Sequence, residues 1–184
     1  MYTQGQTEYP LLVNLDFRRL SEVKLSDLVG LMTDPRLHAH MPLLSDRFDE
    51  QSAEDMIREK EAAWSEHGYG LWAFYVDGRF VGWGGLQCEQ GDPDLAIVLH
   101  PDAWGGGRDV YCEIVKRGFE DMDFDYITIL LPPTRTKLAA IERLGFERRE
   151  DVEAHGETFM RFMLTRIRHR TLVGRGDHPC KSNH

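Results

Sequence analysis

Cysteine is scarce in this chain, with three in 184 residues: Cys88, Cys112 and Cys180. They stand far apart, in neither a metal-ligand spacing nor an even-numbered disulfide framework. The expectation is two packing residues and one thiol in the tail, with no metal site. Positive charge is also in deficit: 22 Lys and Arg face 31 Asp and Glu, a formal net charge of -9. Nucleic-acid binders carry the opposite balance, so no nucleic-acid partner is expected. An acidic surface leans instead towards cationic substrates. No apolar run approaches the ~20 residues that span a bilayer. The polar first ten residues lack the basic and apolar regions of a signal peptide. These absences lead us to expect a cytoplasmic protein without a membrane partner.

What is present suits one globular domain. The length allows a sizeable core, and 41% hydrophobic residues is ordinary for a folded chain. Residues 13–20 alternate apolar and polar, as in a half-buried strand. Ser26-Asp27 opens a short helix that should stop before Pro35. Residues 37–47, with His38, His40, Met41 and Pro42, show no period and read as a loop. Residues 48–67 read as a long charged helix capped by Gly68. Strands over 71–76 and 80–86 flank Asp77-Gly78, a hairpin signal. Asp92-Pro93 reads as a turn before a strand over 95–99. A helix from Val110, a strand over 126–131, a short helix closed by Gly145, and a hairpin around His155-Gly156 follow. The tail from Arg166 is expected to fray.

The most informative stretch is 97–108, where the run Ile97-Val98-Leu99 ends at His100-Pro101 and Gly105-Gly106-Gly107 precede the helix. A strand, a glycine turn and a helix N-terminus together aim several N–H groups at one point, and the helix dipole favours an anion there. A tight turn that binds nothing fits the glycines equally well.

The order of elements, with Pro101, Trp104, Gly105 and Gly107 in register, resembles the GNAT superfamily of acyl-CoA-dependent N-acyltransferases. Within it, the chain is most similar to the ribosomal-protein N-terminal acetyltransferases. Leu31-Met32-Thr33-Asp34-Pro35, His40-Met41-Pro42, Gly70-Leu71-Trp72-Ala73, Gly82-Trp83-Gly84-Gly85-Leu86 and Leu144-Gly145-Phe146 carry the same likeness. It implies a mixed α/β fold around a mostly antiparallel seven-stranded sheet, with a splayed fourth and fifth strand and flanking helices. The domain would cover 13–167, between an N-terminal extension (1–12) and a polar tail (168–184).

The activity implied is transfer of an acetyl group from acetyl-CoA, the co-substrate, to a primary amine. The acceptor would be a small molecule or a peptide, and a homodimer stays open. Gly105, Gly106, Gly107, Arg108 and Asp109 would cradle the pyrophosphate through main-chain N–H groups. Val98, Leu99 and His100 would pair with the pantetheine arm along the strand edge. Thr134, Arg135 and Lys137 would lie near the adenosine phosphates, beside Arg143; a solvated helix face is the other reading of these basic residues. Asp94, where many members carry Glu, would accept the amine proton through water; a turn residue after Pro93 is the other reading. His100 is a second catalytic candidate, or a strand-end residue facing solvent. His38, His40, Met41 and Trp72 would line the acceptor site, with packing in the core or at its rim as the other reading of Trp72. The chain departs from the family at Asp109, where Gly or Ala is usual, at Thr134 in place of Asn, and at Ile141 in place of a Tyr acid. Those departures keep open an alternative, an acyl-CoA-binding regulatory protein that has lost catalysis.

Overall fold

The computed structural model describes residues 14–38, 47–136, 138–154, 156–176 and 178–180. Strand β1 (Leu15–Arg19) leads into α1 (Leu25–Met32), the single turn α2 (Pro35–His38) and α3 (Glu50–His67). Three strands follow: β2 (Leu71–Val76), β3 (Arg79–Glu89) and β4 (Asp92–Leu99). Helix α4 (Gly107–Lys116) crosses over to β5 (Tyr126–Leu131). The chain continues through α5 (Ala139–Arg143), β6 (Glu147–Arg148), β7 (Val152–Ala154), β8 (Glu157–Thr165) and α6 (Arg166–Gly174). The sheet order is β1-β2-β3-β4-β5-β8-β6, with β7 along β8. Among the described residues only β4 and β5 pair in parallel.

Eight strands stand where seven are expected, because the segment after Phe146 breaks in two. Arg148 pairs with Phe162 but Val152 pairs with Phe159, so one extra residue lies on the β6–β7 side. That extra residue is a bulge, and it falls in the charged run 149–151. The Asp77-Gly78 hairpin forms as expected, with both residues at positive φ (49° and 77°), the geometry of a type I′ turn. The next turn differs from expectation. It is Gln90-Gly91 (φ 52° and 88°), and Asp92 and Pro93 already pair with Glu89 and Cys88. Asp94 is therefore a strand residue. Helix α3 starts where the Asp49 carboxylate accepts the Ser52 N–H at 2.9 Å and ends at Gly68 in the left-handed conformation.

Two apolar layers sandwich the sheet. Phe74, Leu86 and Leu99 pack with Val110 and Ile114 of α4 on one face. Leu71, Ala73 and Val98 pack with Leu28, Leu31 and Ala53 of α1 and α3 on the other. Close strand packing depends on β3 glycines: a Cβ on Gly82 would stand 2.2 Å from the Val98 carbonyl oxygen.

The C-terminal region corrects two expectations. Residues 166–174 are helical rather than frayed, and beyond them His178 is only 2% exposed. Cys112 and Cys180 are not unpaired: they form a disulfide across 68 residues, with Cα atoms 5.3 Å apart. Spacing along the chain could not reveal it, since the return of the chain after α6 creates the proximity. Cys88 is the free cysteine. The expected extension 1–12, and the turn residue His155, lie outside the described residues.

Candidate active site

The glycine turn builds an anion cradle. Gly105 has φ 113°, a conformation side chains resist, and Gly106 is the N-cap of α4. Helix geometry leaves the N–H groups of Gly107 and Arg108, at the first two helical positions, without an intrahelical acceptor. Those donors and the helix dipole favour a phosphate. The Trp104 indole N–H donates to the Leu99 carbonyl at 3.1 Å and ties the turn to the end of β4. The Arg108 side chain points elsewhere, its Nε donating to the Pro179 carbonyl at 2.8 Å. Asp109 lies in the first turn of α4, where a carboxylate complements the dipole.

Beside this cradle the sheet opens. Strands β4 and β5 share one bridge, Asp94 to Thr128, although β4 runs on to Leu99 and β5 to Leu131. Val98 and Leu99 pair with Trp83 and Gly82 of β3 but not with β5. This is the splay the resemblance implies, and it leaves a strand edge facing the gap. A cavity of about 700 Å³, lined by Gly107, Arg108, Tyr111, Arg143 and Leu144, adjoins the cradle between α4 and α5.

Asp94 sits where the two strands part. Its side chain alternates with Leu95 onto the face of Val98, opposite α4. It is 6% exposed. Burial pushes its carboxyl up from 3.8 to about 7, against hydrogen bonds from Thr128, the Leu130 N–H and Gln87 that favour the ionised form. The Thr128 hydroxyl lies 3.3 Å from Oδ1. A buried carboxyl that titrates near neutrality can take up and release a proton at working pH. Sequence reasoning missed Thr128 and Gln87, because their roles exist only once three strands are side by side.

The remaining expected residues divide. His100 lies just past the end of β4, six residues from Asp94 and roughly 20 Å away at the usual strand rise, so the two cannot act on one reacting atom. Its Nδ1 accepts the Asp102 N–H at 3.2 Å, and its Nε2 lies 3.9 Å from Asp34. The Arg36 guanidinium bridges Asp34 and Asp102, each at 2.8 Å, and holds the Asp34 carboxyl down at about 2. His100 thus clasps the end of β4 to the end of α1. Trp72 belongs to the core: it is 6% exposed, its ring packed against Trp64 and Phe17, with Arg117 above it. Of the two readings of Trp72, these contacts fit core packing. Tyr111 is likewise buried, donates to the Leu144 carbonyl at 3.1 Å, and has its pKa raised by desolvation. His38 contacts the Met32 carbonyl at 2.8 Å. Thr134 and Arg135 are exposed in the segment before α5. His40, Met41 and Lys137 lie outside the described residues.

A family model for the acetyltransferase (GNAT) domain matches residues 14–147. Solved structures share the architecture. An acetyltransferase from Agrobacterium tumefaciens is 17% identical, with 90% of this chain and 100% of that chain covered and a TM-score of 0.67. The aminoglycoside acetyltransferase AAC(6')-Ib in complex with coenzyme A is 14% identical, with 85% and 96% covered and a TM-score of 0.67. Mycobacterium smegmatis RimJ in complex with CoA-disulfide is 16% identical, with 89% and 90% covered and a TM-score of 0.63. At such identities these likenesses are of fold. The family match, which takes in the splayed strands, the glycine cradle and the first turns of the chain, goes further: this protein belongs to the GNAT acetyltransferase family.

Proposed function

We propose that the protein moves an acetyl group from acetyl-CoA to a primary amine, by direct attack of the amine on the thioester. The observation that carries this reading is Asp94: a buried carboxyl with a pKa raised to about 7, at the point where β4 and β5 part. The amine must lose a proton to attack, and Asp94, directly or through one water, receives it. The cradle formed by the glycine turn binds the pyrophosphate through the main-chain N–H groups it leaves free, those of Gly107 and Arg108 at the start of α4. The edge of β4 at Val98 and Leu99 holds the pantetheine arm as an added strand. One of its N–H groups polarises the thioester carbonyl. Arg143, on the cavity wall, meets the adenosine phosphates, with Arg135 nearby. A covalent route is not part of this reading: Cys112 and Cys180 are bonded to each other, and direct transfer needs no cysteine nucleophile.

The acceptor is a small amine or a peptide N-terminus. Solved structures whose folds resemble this one include an aminoglycoside acetyltransferase and a spermidine N-acetyltransferase chimera, so both chemistries belong in the test. The decisive experiment offers acetyl-CoA with a panel of aminoglycosides, polyamines, amino acids and N-terminal peptides, and follows free thiol. Release above the hydrolysis background with at least one amine is expected. The regulatory alternative draws on Asp109, whose carboxylate stands beside the cradle. Acetyl-CoA binding without turnover on any amine would select it.

A further inference from the structure

The C-terminal segment gathers four metal-binding side chains beside α4. Cys112 lies on α4 and His169 on α6, with His178 and Cys180 beyond α6. One ligating atom from each of His169, His178 and Cys180 lies within 4.8 Å of the others, and the Cys112 sulfur is bonded to that of Cys180. The two imidazole rings stand 4.9 Å apart between centroids and nearly perpendicular, at 87°. A disulfide alone requires neither histidine.

The histidines also carry the marks of ligands. His169 Nε2 is buried with no hydrogen-bond partner, a costly state unless another group meets it. His178 Nε2 lies 2.9 Å from the Leu144 carbonyl. A ring that donates from Nε2 to a carbonyl presents its lone pair at Nδ1, the usual outer-shell pattern of a metal-bound histidine. In the disulfide form that lone pair accepts the Cys180 N–H at 3.2 Å, a bond that zinc would displace.

We propose that Cys112, Cys180, His169 and His178 form a tetrahedral zinc site in the reduced protein, and that the Cys112–Cys180 disulfide is its oxidised, metal-free form. Two thiolates and two imidazoles are a closed structural set for Zn²⁺. At Zn–S of about 2.3 Å and Zn–N of about 2.0 Å, tetrahedral ligand atoms stand roughly 3.3–3.8 Å apart. Three of the four ligand atoms already lie within 4.8 Å of one another, and the Cys112 sulfur is bonded to that of Cys180, so side-chain adjustment once the S–S bond opens brings the set towards that geometry. The exchange balances. A dithiol supplies two electrons and two protons, becoming a disulfide itself, and Cys112 and Cys180 become thiols. Zn²⁺ then displaces both thiol protons. Either state fastens the segment whose Pro179 carbonyl holds Arg108 at the start of α4.

The test uses the full chain, reduced with a phosphine under argon, incubated with Zn²⁺ and freed of excess metal. Elemental analysis should find one zinc per reduced chain and none per oxidised chain. Co²⁺ in its place should give thiolate-to-cobalt charge transfer and tetrahedral d–d absorption. His169→Gln should weaken zinc binding by about tenfold or more, and Cys112→Ser should abolish it. Zn²⁺ should raise Tm for the reduced parent by more than for His169→Gln, whose folding is checked by near-ultraviolet circular dichroism of its oxidised form. Reduced parent that retains no zinc, a six-coordinate cobalt spectrum, or a folded His169→Gln that binds zinc like the parent would each overturn the proposal.

Discussion

Replacing Asp94 with Asn keeps the shape of the side chain and removes its charge, and the structure assigns opposite signs to the two consequences. Burial raises the Asp94 pKa from 3.8 to about 7. At about 1.36 kcal/mol per unit, a rise of roughly three units corresponds to about 4 kcal/mol of linkage between protonation and folding. Because the folded state binds this proton more tightly than the unfolded chain, the contribution is complete below about pH 4 and is lost as pH rises through 7. The parent thus gives up as much as about 4 kcal/mol from this one group between pH 4 and 8, and the Asn variant does not. Some of the gain is returned, since an amide fits less well among donors from Thr128, Leu130 and Gln87. A net advantage of roughly 1–3 kcal/mol for the variant at pH 8 is expected, shrinking towards pH 4. Activity moves the other way. Asp94 must be ionised to accept the proton, so kcat of the parent should rise with pH through about 7. The variant should lose about 10²-fold or more in kcat and lose that limb, with acetyl-CoA affinity unchanged. Urea unfolding at pH 5 and pH 8, with thiol release measured across the same range, reads both effects. A variant that turns over like the parent and is no more stable at pH 8 would refute the reasoning.

The glycine cradle separates by position: Gly105→Ala, at φ 113°, should weaken acetyl-CoA binding by about tenfold in calorimetry, from displaced N–H donors. Gly107→Ala should fold normally, because its Cβ would meet only the Leu99 side chain at 3.4 Å. Gly82→Ala should be severely destabilising, by about 3 kcal/mol or more in thermal or urea unfolding, since its Cβ would lie 2.2 Å from a backbone oxygen of β4. For whichever amine the panel identifies, added salt should raise KM more than it lowers kcat, because the net charge of -9 acts on the encounter with a cation; a salt-insensitive KM would remove the electrostatic argument. Reducing the Cys112–Cys180 disulfide in metal-free protein should lower stability by up to about 4 kcal/mol, the loop-entropy value for 68 residues of separation.

The sequence by itself determined most of the elements up to the second hairpin, and the position of the cradle. Local chemistry sufficed for these: Asp77-Gly78 can make a tight hairpin wherever it stands, Gly68 can end a helix, and three glycines after a strand leave helix N–H groups exposed to a ligand. Asp94 was legible only as one of two readings. Pro93 suggested a turn, and the pairing of β3 with β4 places that turn two residues earlier, at Gln90-Gly91. What the carboxyl can do was decided by tertiary structure alone, because its pKa depends on burial and on donors from β3 and β5. Trp72 and Trp104 show the same division. Both are tryptophans beside glycine-rich segments, yet packing against Trp64 and Phe17 buries the first while the second stays 46% exposed. The disulfide and the two histidines beside it were beyond any reading of spacing. Cys112 and Cys180 meet because α6 and the turn after it carry the chain back across α4, and contacts so distant in sequence leave no periodic or local signal.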